Sequence, residues 1–271
     1  MLLNSTLPPK YTAPGSFGET AICEFGAGQF ELNLRHVDDA LAAADHMIGL
    51  KRAIRGVARN NGLDASFMPK PFGNMSGSGM HIHLSLMDAA GNNAFDGDGN
   101  GPAPTIRHAV GGLLEAMADC MLIFAPHHNS YRRFIPGSYA PMVAAWGLDN
   151  RSVAVRMPEI SGNGARIEHR VSGSDANPYL LAAAVLAAAL DGIERRVDPG
   201  KPAGREAGGG DGEALPQSWN AAEQLFSESE FVDKWLGAEF QRIFGAIKRQ
   251  ERATLMARVS DVEYAAYLRT V

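Results

Sequence analysis

Cysteine is nearly absent: Cys23 and Cys120 are the only two in 271 residues. They sit in no metal-type pairing and cannot staple a disulfide scaffold, so both read as small buried hydrophobes in a reducing compartment. Positive charge is also short, with 25 Lys and Arg against 30 Asp and Glu and a formal net charge of -5. That balance excludes a general electrostatic grip on nucleic acid or on an anionic membrane, while leaving room for a local basic pocket. Long apolar runs are missing too. The longest uncharged one, "PYLLAAAVLAAAL" from Pro178 to Leu190, falls short of the roughly 20 residues that span a bilayer. No basic-then-apolar signal segment opens the chain, and the expected location is cytoplasmic. There is no internal repeat. With 45% hydrophobic and 20% charged residues the chain can bury a sizeable core, as one large domain or two small ones.

The first twenty residues carry three prolines and two glycines with little periodicity, and are expected to be irregular. From Thr20 to Leu34, "TAICEF" and "FELNL" flank "GAGQ" and predict extended structure broken at a glycine-rich bend. Asp38 or Asp39 then caps a helix in which Met47, Leu50, Ile54, Val57 and Ala58 recur at helical spacing, stopped by Asn61-Gly62. A short strand "ASFM" is expected next, followed by the glycine-rich loop "GNMSGSG" and the alternating strand "MHIHLSL". "DAAGNNAFDGDGNGPAP" reads as turn-rich surface loop, and a helix runs from about Thr105 to Phe124 with Leu113, Met117 and Met121 as its core stripe. Residues 127–171 are loops and short strands dense in arginine, aromatics and proline, where chemistry tends to sit. Asn177-Pro178 starts a buried alanine-rich helix. "DPGKPAGREAGGGDGEALPQ" reads as a flexible surface loop, and the final helices include the capping box Ser260 to Glu263. Strand-helix-strand alternations are too few for a doubly wound fold. The class is therefore α+β, or mixed α/β, with a mainly antiparallel sheet.

Four constellations could carry chemistry. Strand period two puts His81 and His83 on one face beside a loop whose glycines admit an anion; the same spacing suits two satisfied histidines on a half-buried strand. Arg166, Glu168 and Arg170 share a face in "RIEHR", either as a buried ion network or as a metal ligand bordered by anion binders. Glu24 and Glu31 are seven apart and would lie on opposite faces of a straight strand, but the intervening glycines permit a bend that brings them together. Each alone is an ordinary surface carboxylate. Arg132, Arg133, Arg151, Arg156, Arg166 and Arg170 crowd a segment poor in acids, which calls for an anionic small ligand. Carboxylates with one imidazole suit Mg²⁺ or Mn²⁺ better than structural zinc. Together these point to a divalent metal with a polyphosphate, and so to phosphoryl transfer.

The strings "CEFGAGQFELNL", "FMPKP", "GSGMHIHLSL", "NSYRRFIPG", "APMVAAWGLDNRSVAVRMP" and "ARIEHRVSGSDANPYL", in order from about residue 20 to 195, resemble the catalytic domain of the glutamine synthetase family. The resemblance implies an enzyme that uses ATP and divalent cations to phosphorylate the γ-carboxylate of glutamate, after which an amine displaces phosphate. It implies a mainly antiparallel curved sheet forming the active site, with flanking helices, over residues 21–271. Motif by motif, Glu24 and Glu31 would hold one metal, and His81 and Glu168 a second. Ser76 and Gly77 would meet the backbone end of glutamate, and Arg133 and Arg170 its carboxylates. Arg151 and Arg156 would neutralise the transferring phosphoryl group, with His83, Ser85 and Arg166 on the ATP side. Arg151 and Arg156 are five apart and need a strand end or bulge to converge.

Two departures narrow the resemblance. Ammonia-using members carry a glutamate just before the flap's "AP", where this chain has Tyr139, and a phenol supplies no negative charge at neutral pH. The asparagine usual before "GSGMH" is Ser76. Both resemble the γ-glutamylpolyamine and γ-glutamylputrescine synthetases, so the expected acceptor is an organic amine or polyamine. Glutamine synthesis from ammonia and a non-catalytic member of the family are the alternatives; a metal hydrolase lacks an activated nucleophile here. Nothing in the chain corresponds to the family's N-terminal β-grasp domain or its Glu-x-Glu motif, and the sequence reads as a catalytic region without them. The resemblance also implies a homo-oligomer, a ring-forming dodecamer in the family, whose active sites a neighbour's N-terminal domain completes.

Overall fold

The structure is a computed structural model that describes residues 18–97, 99, 101–204 and 212–270. The expected irregular segment at 1–20 therefore lies outside the described residues except for its last three, which already belong to a strand. Strand β1 (Gly18–Cys23) pairs antiparallel with β2 (Phe30–Leu34), with Ile22 opposite Glu31. Gly28, at φ 75°, makes the turn that a β-carbon would strain. Helix α1 (Ala40–Asn60) starts where Asp39 accepts from the amides of Leu41 and Ala42, and stops at Asn61 and Gly62.

Four strands form the central sheet, in the spatial order β3 (Ile82–Leu84), β7 (Arg166–His169), β6 (Val155–Glu159), β5 (Trp146–Leu148). The ladders are antiparallel except β5 with β6, which run parallel across a connection of residues 149–154 only. Asp149 turns that corner in the left-handed region, at φ 46°. A third pair, β4 (Val143–Ala144) with β8 (Glu213–Ala214), is antiparallel. The sheet is mainly antiparallel, as the sequence predicts.

One face of β7 buries Ile167 and His169 against helix α2 (Pro104–Glu115), whose Ile106, Val110 and Leu113 are core residues. Helix α4 (Pro178–Arg195), capped by Asn177, crosses α2 so closely that a β-carbon on Gly112 would stand 2.1 Å from the Ala188 carbonyl oxygen. Its alanine content is the price of that approach. Buried Asp191 on α4 accepts from Arg195, Lys234 and the Trp235 indole, tying down α6 (Glu230–Leu236). Phe226 of α5 (Trp219–Glu228) meets Phe240 and Phe244 of α7 (Ala238–Met256), and α8 (Asp261–Tyr267) begins at the Ser260–Glu263 capping box. Among the described residues no helix is long and apolar enough to cross a membrane.

Several local expectations change. "ASFM" is not a strand: Phe67 instead lies under the Lys51 and Arg55 cations, and its carbonyl accepts from Ser174 Oγ. The turn-rich stretch after Met87 is no mere surface loop, because Phe95 plugs the core and Asn93 donates to the Ala165 carbonyl. The helix expected over 105–124 breaks at 116–120, where i→i+3 bonds mix with i→i+4 ones in a run of turns, and resumes as α3 (Met121–Phe124); Leu113, Met117 and Met121 are all buried. The described flanks of the 198–217 loop are pinned, since Pro199 and Gly204 accept from Trp146 and Asn150 and Leu215 is buried. Cys120 is buried, but Cys23 is exposed at the end of β1.

Candidate active site

Glu168 is the hub. Antiparallel pairing sets His83 opposite Glu168 on β3 and Arg156 opposite it on β6, so three strands present charge on one face. The carboxylate is buried. Its Oε1 accepts from Arg170 Nη1 at 2.7 Å and its Oε2 from Arg156 Nη1 at 2.9 Å, with His81 Nδ1 at 3.3 Å and His83 Nε2 at 3.8 Å from Oε1. Burial alone would raise its pKa, but the His81 contact and the two guanidiniums outweigh it and hold the carboxyl well below the usual carboxylate range. Burial lowers the proton affinity of His83 despite Glu168, helped by Arg166, His81 and Arg156 nearby. The one-faced arrangement of His81 with His83, and of Arg166, Glu168 and Arg170, is present as the period-two reading predicts.

The hairpin settles the question of Glu24 and Glu31. The chain reverses over residues 24–29, with the Glu24 amide donating to Gln29 O at 3.0 Å, and the two carboxyl groups meet in a hydrogen bond. Burial, that bond and the neighbouring charge of Glu31 all raise the Glu24 pKa. Two crowded carboxylates of this kind are relieved by a cation, so the pair fits an oxygen-ligated divalent ion. Among the described residues no three His, Cys, Asp or Glu side chains gather closely enough to hold a metal by themselves. Further donors would come from water or phosphate oxygens, as Mg²⁺ commonly takes them. His81 and Glu168 fit less well, because both Glu168 oxygens are already engaged by guanidiniums.

The glycine loop lies against Arg133, which a 3₁₀ helix (His128–Arg133) delivers buried, 5% exposed. A β-carbon on Gly77 would stand 2.8 Å from Arg133 Cγ and 2.9 Å from Pro69 O, so no side chain fits there. At Gly79 it would lie 3.1 Å from Arg133 Nη2 and 3.4 Å from His81 Nε2, which places the guanidinium between the loop and the histidines. Ser76 is half-buried beside them. Gln29 crosses from the hairpin and donates to Gly77 O at 2.9 Å, joining the acidic pair to the loop.

Arg151 is exposed on the β5–β6 connection. Its carbonyl accepts from Arg170 Nη2 at 3.0 Å, and its charge and that of Arg156 both bear on Arg170. The short parallel connection thus brings Arg151 and Arg156 to one neighbourhood. Arg166 reaches back to Gly164 O. Ser85 spends its hydroxyl on Ala165 O at 3.0 Å. Tyr139 is 73% exposed on a loop that Ser138 Oγ anchors to Arg133 O.

Sequence reasoning passes over three residues that hold these pieces in place. Asn129 clasps Lys70 through both its amide and its carbonyl. Ser174 bonds the glycine loop through Ser78, and its carbonyl accepts from Lys51 Nζ at 2.6 Å. Asp175 accepts from Ser130 and His127.

A family model described as glutamine synthetase, catalytic domain, matches residues 11–267. The γ-glutamylputrescine synthetase PuuA of Escherichia coli is 36% identical over 245 residues, 90% of this chain and 52% of that protein. The γ-glutamylethanolamide synthetase GlnA4 of Streptomyces coelicolor is 37% identical over the same shares. A glutamine synthetase of Pyrococcus abyssi is 46% identical over 176 residues, 65% of this chain and 39% of that protein. The solved structure of GmaS without ligand superposes with a TM-score of 0.85 at 36% identity, covering 94% of this chain and 60% of that one. The chain spans about half the length of the curated relatives it matches.

Proposed function

The chain belongs to the glutamine synthetase catalytic-domain family, and from that premise we propose that it carries the ATP-dependent joining of the glutamate γ-carboxylate to an organic amine or polyamine. The observation that carries the reading is the Glu168 hub, where Arg156 and Arg170 are fixed by a shared carboxylate with His81 and His83 on the same face. Guanidiniums held in advance stabilise charge that develops on a transferring phosphoryl group without reorganising during the step.

In this reading a γ-carboxylate oxygen of glutamate attacks the γ-phosphorus of ATP and ADP leaves; the amine nitrogen then attacks the carbonyl carbon of the γ-glutamyl phosphate, phosphate departs with the C–O bond electrons, and the nitrogen releases its extra proton to solvent. Arg133 and Arg170 bind the carboxylates of glutamate, and Ser76 and Gly77 frame its backbone end. Arg151 and Arg156 face the phosphoryl group, and His83, Ser85 and Arg166 lie on the ATP side. Glu24 and Glu31 would hold a divalent cation, Mg²⁺ or Mn²⁺, which supplies charge neutralisation at the phosphates when bound. Tyr139 puts an uncharged, exposed phenol at the flap, which favours an acceptor that brings its own alkyl surface over an ammonium that needs a carboxylate.

The test is phosphate release that requires glutamate, ATP and an amine together. Tyr139→Glu should raise the rate with ammonium relative to putrescine; an unchanged ratio contradicts the role of Tyr139. A second reading, a family member that binds without turnover, draws on the lack of a three-ligand cluster among the described residues. Turnover by the chain itself overturns it.

A further inference from the structure

The buried Arg133 has no carboxylate within ion-pair distance among the described residues; Nη1 donates to Val171 O at 3.0 Å, and the guanidinium stacks over Phe134. A permanent charge kept from water needs a counter-charge. The nearest source is Asp175, whose side chain is 10% exposed. Its Oδ2 accepts from Ser130 Oγ at 2.6 Å and from His127 Nδ1 at 2.7 Å, while its buried Oδ1 has no hydrogen-bond partner. Oδ1 and the guanidinium face each other across Gly173: a β-carbon there would stand 2.3 Å from Asp175 Oδ1 and 3.5 Å from Arg133 Nη1. Helix geometry explains the layout. In a 3₁₀ turn residues i and i+3 eclipse, so Ser130 and Arg133, with His127 as the cap one step earlier, line one side of the same short helix. One edge of the helix therefore carries both the cation and the donors that hold its carboxylate.

We propose that Asp175 is a positioning residue of the glutamate site: clamped by Ser130 and His127, it is the counter-charge that keeps the Arg133 guanidinium in place beside Gly79, which His81 also borders. The proposal rests on the reading of Arg133 as a glutamate-binding residue. Burial pulls the Arg133 pKa down to about 10, and Asp175 is the group that opposes this. Lys51, whose charge also senses Asp175, approaches from α1 but is committed to Ser174 O.

Two measurements on the full chain test it. The first follows the Arg133 Nε–Hε resonance by NMR, identified by its loss in Arg133→Lys. Asp175→Asn should shift that resonance and speed its hydrogen exchange with water several-fold, because the guanidinium loses the charge that holds it; an unmoved resonance with unchanged exchange overturns the proposal. The second measures L-glutamate affinity by calorimetry with the Mg²⁺ complex of a non-hydrolysable ATP analogue present. Asp175→Asn should weaken glutamate about tenfold while ATP affinity stays within about twofold, since the Asp175 carboxylate is held by Ser130 and His127 and by none of the residues read as the ATP side. Equal glutamate affinity in both proteins overturns the proposal, as does an equal loss for ATP. If the unaltered chain binds no glutamate, the reading of the site fails and the Nε–Hε resonance alone decides the Asp175–Arg133 coupling. If Asp175→Asn does not fold, Ser130→Ala, which frees the carboxylate but keeps its charge, should still weaken glutamate selectively, and no change there counts against the proposal.

Discussion

Neighbouring residues on β7 show how one peptide unit divides opposite tasks. Glu168 faces the charged side, where two guanidiniums and His81 keep it ionised; its carboxyl titrates far below its ordinary value of 4.5, and the stability it contributes is present above that value and lost as pH falls. Glu168→Gln should therefore cost about 3 kcal/mol at neutral pH by urea unfolding, the scale for breaking a buried pair, and the difference from the parent should shrink below about pH 4.5. It should also remove turnover; full activity would refute its role. His169 faces the core at 4.5 Å from the Phe124 ring, with neither ring nitrogen partnered, and burial pulls its pKa from 6.5 to about 3. Between those values the unfolded chain takes up a proton that the fold refuses, so stability falls as pH drops, by up to about 1.4 kcal/mol per pH unit. His169→Phe should flatten that slope in denaturant titrations between neutral pH and pH 5, and an unaltered slope contradicts the assignment.

At the scale of elements, the α2–α4 crossing depends on absent side chains. A β-carbon on Gly192 would stand 2.2 Å from the His108 carbonyl oxygen, and backbone cannot yield as a flexible side chain does. Gly112→Ala or Gly192→Ala should cost about 2 kcal/mol or more, the range for overpacking, with a matching fall in Tm. Gly56, in α1, has open space around its β-position, so Gly56→Ala should stabilise by roughly 0.5–1 kcal/mol. An equal effect at both places would contradict the packing account. Local signals made several helices legible: Asp39, Asn177 and Ser260 cap as read from the sequence. The irregular segments were not legible in the same way, because their structure is set by distant partners. Phe67 is held by Lys51, Arg55 and Ser174, Phe95 by the core, and β8 by β4. The site divides similarly. Period two placed His81 with His83 and, separately, Arg166 with Glu168 and Arg170; the pairing of β3 with β7 joined the two sets. The convergence of Arg151 with Arg156 needed the parallel turn at Asp149, and Asp175 needed the 3₁₀ helix of another segment.

For the whole molecule, a net charge of -5 coexists with an arginine-rich site, so the protein as a whole repels anions while one face collects them. In the proposed reading the Glu24–Glu31 pair would take a cation. Chelating divalent ions should abolish glutamate-dependent phosphate release, with Mg²⁺ or Mn²⁺ restoring it; release that persists in chelator contradicts the account. The central claim concerns what accepts the glutamyl group. Its most direct test is the initial rate of phosphate release with saturating glutamate and ATP against putrescine, spermidine, ethanolamine and ammonium, each over a concentration series. The account predicts a higher kcat/KM with at least one organic amine than with ammonium, and a kcat/KM with ammonium equal to or above that of every organic amine would contradict it.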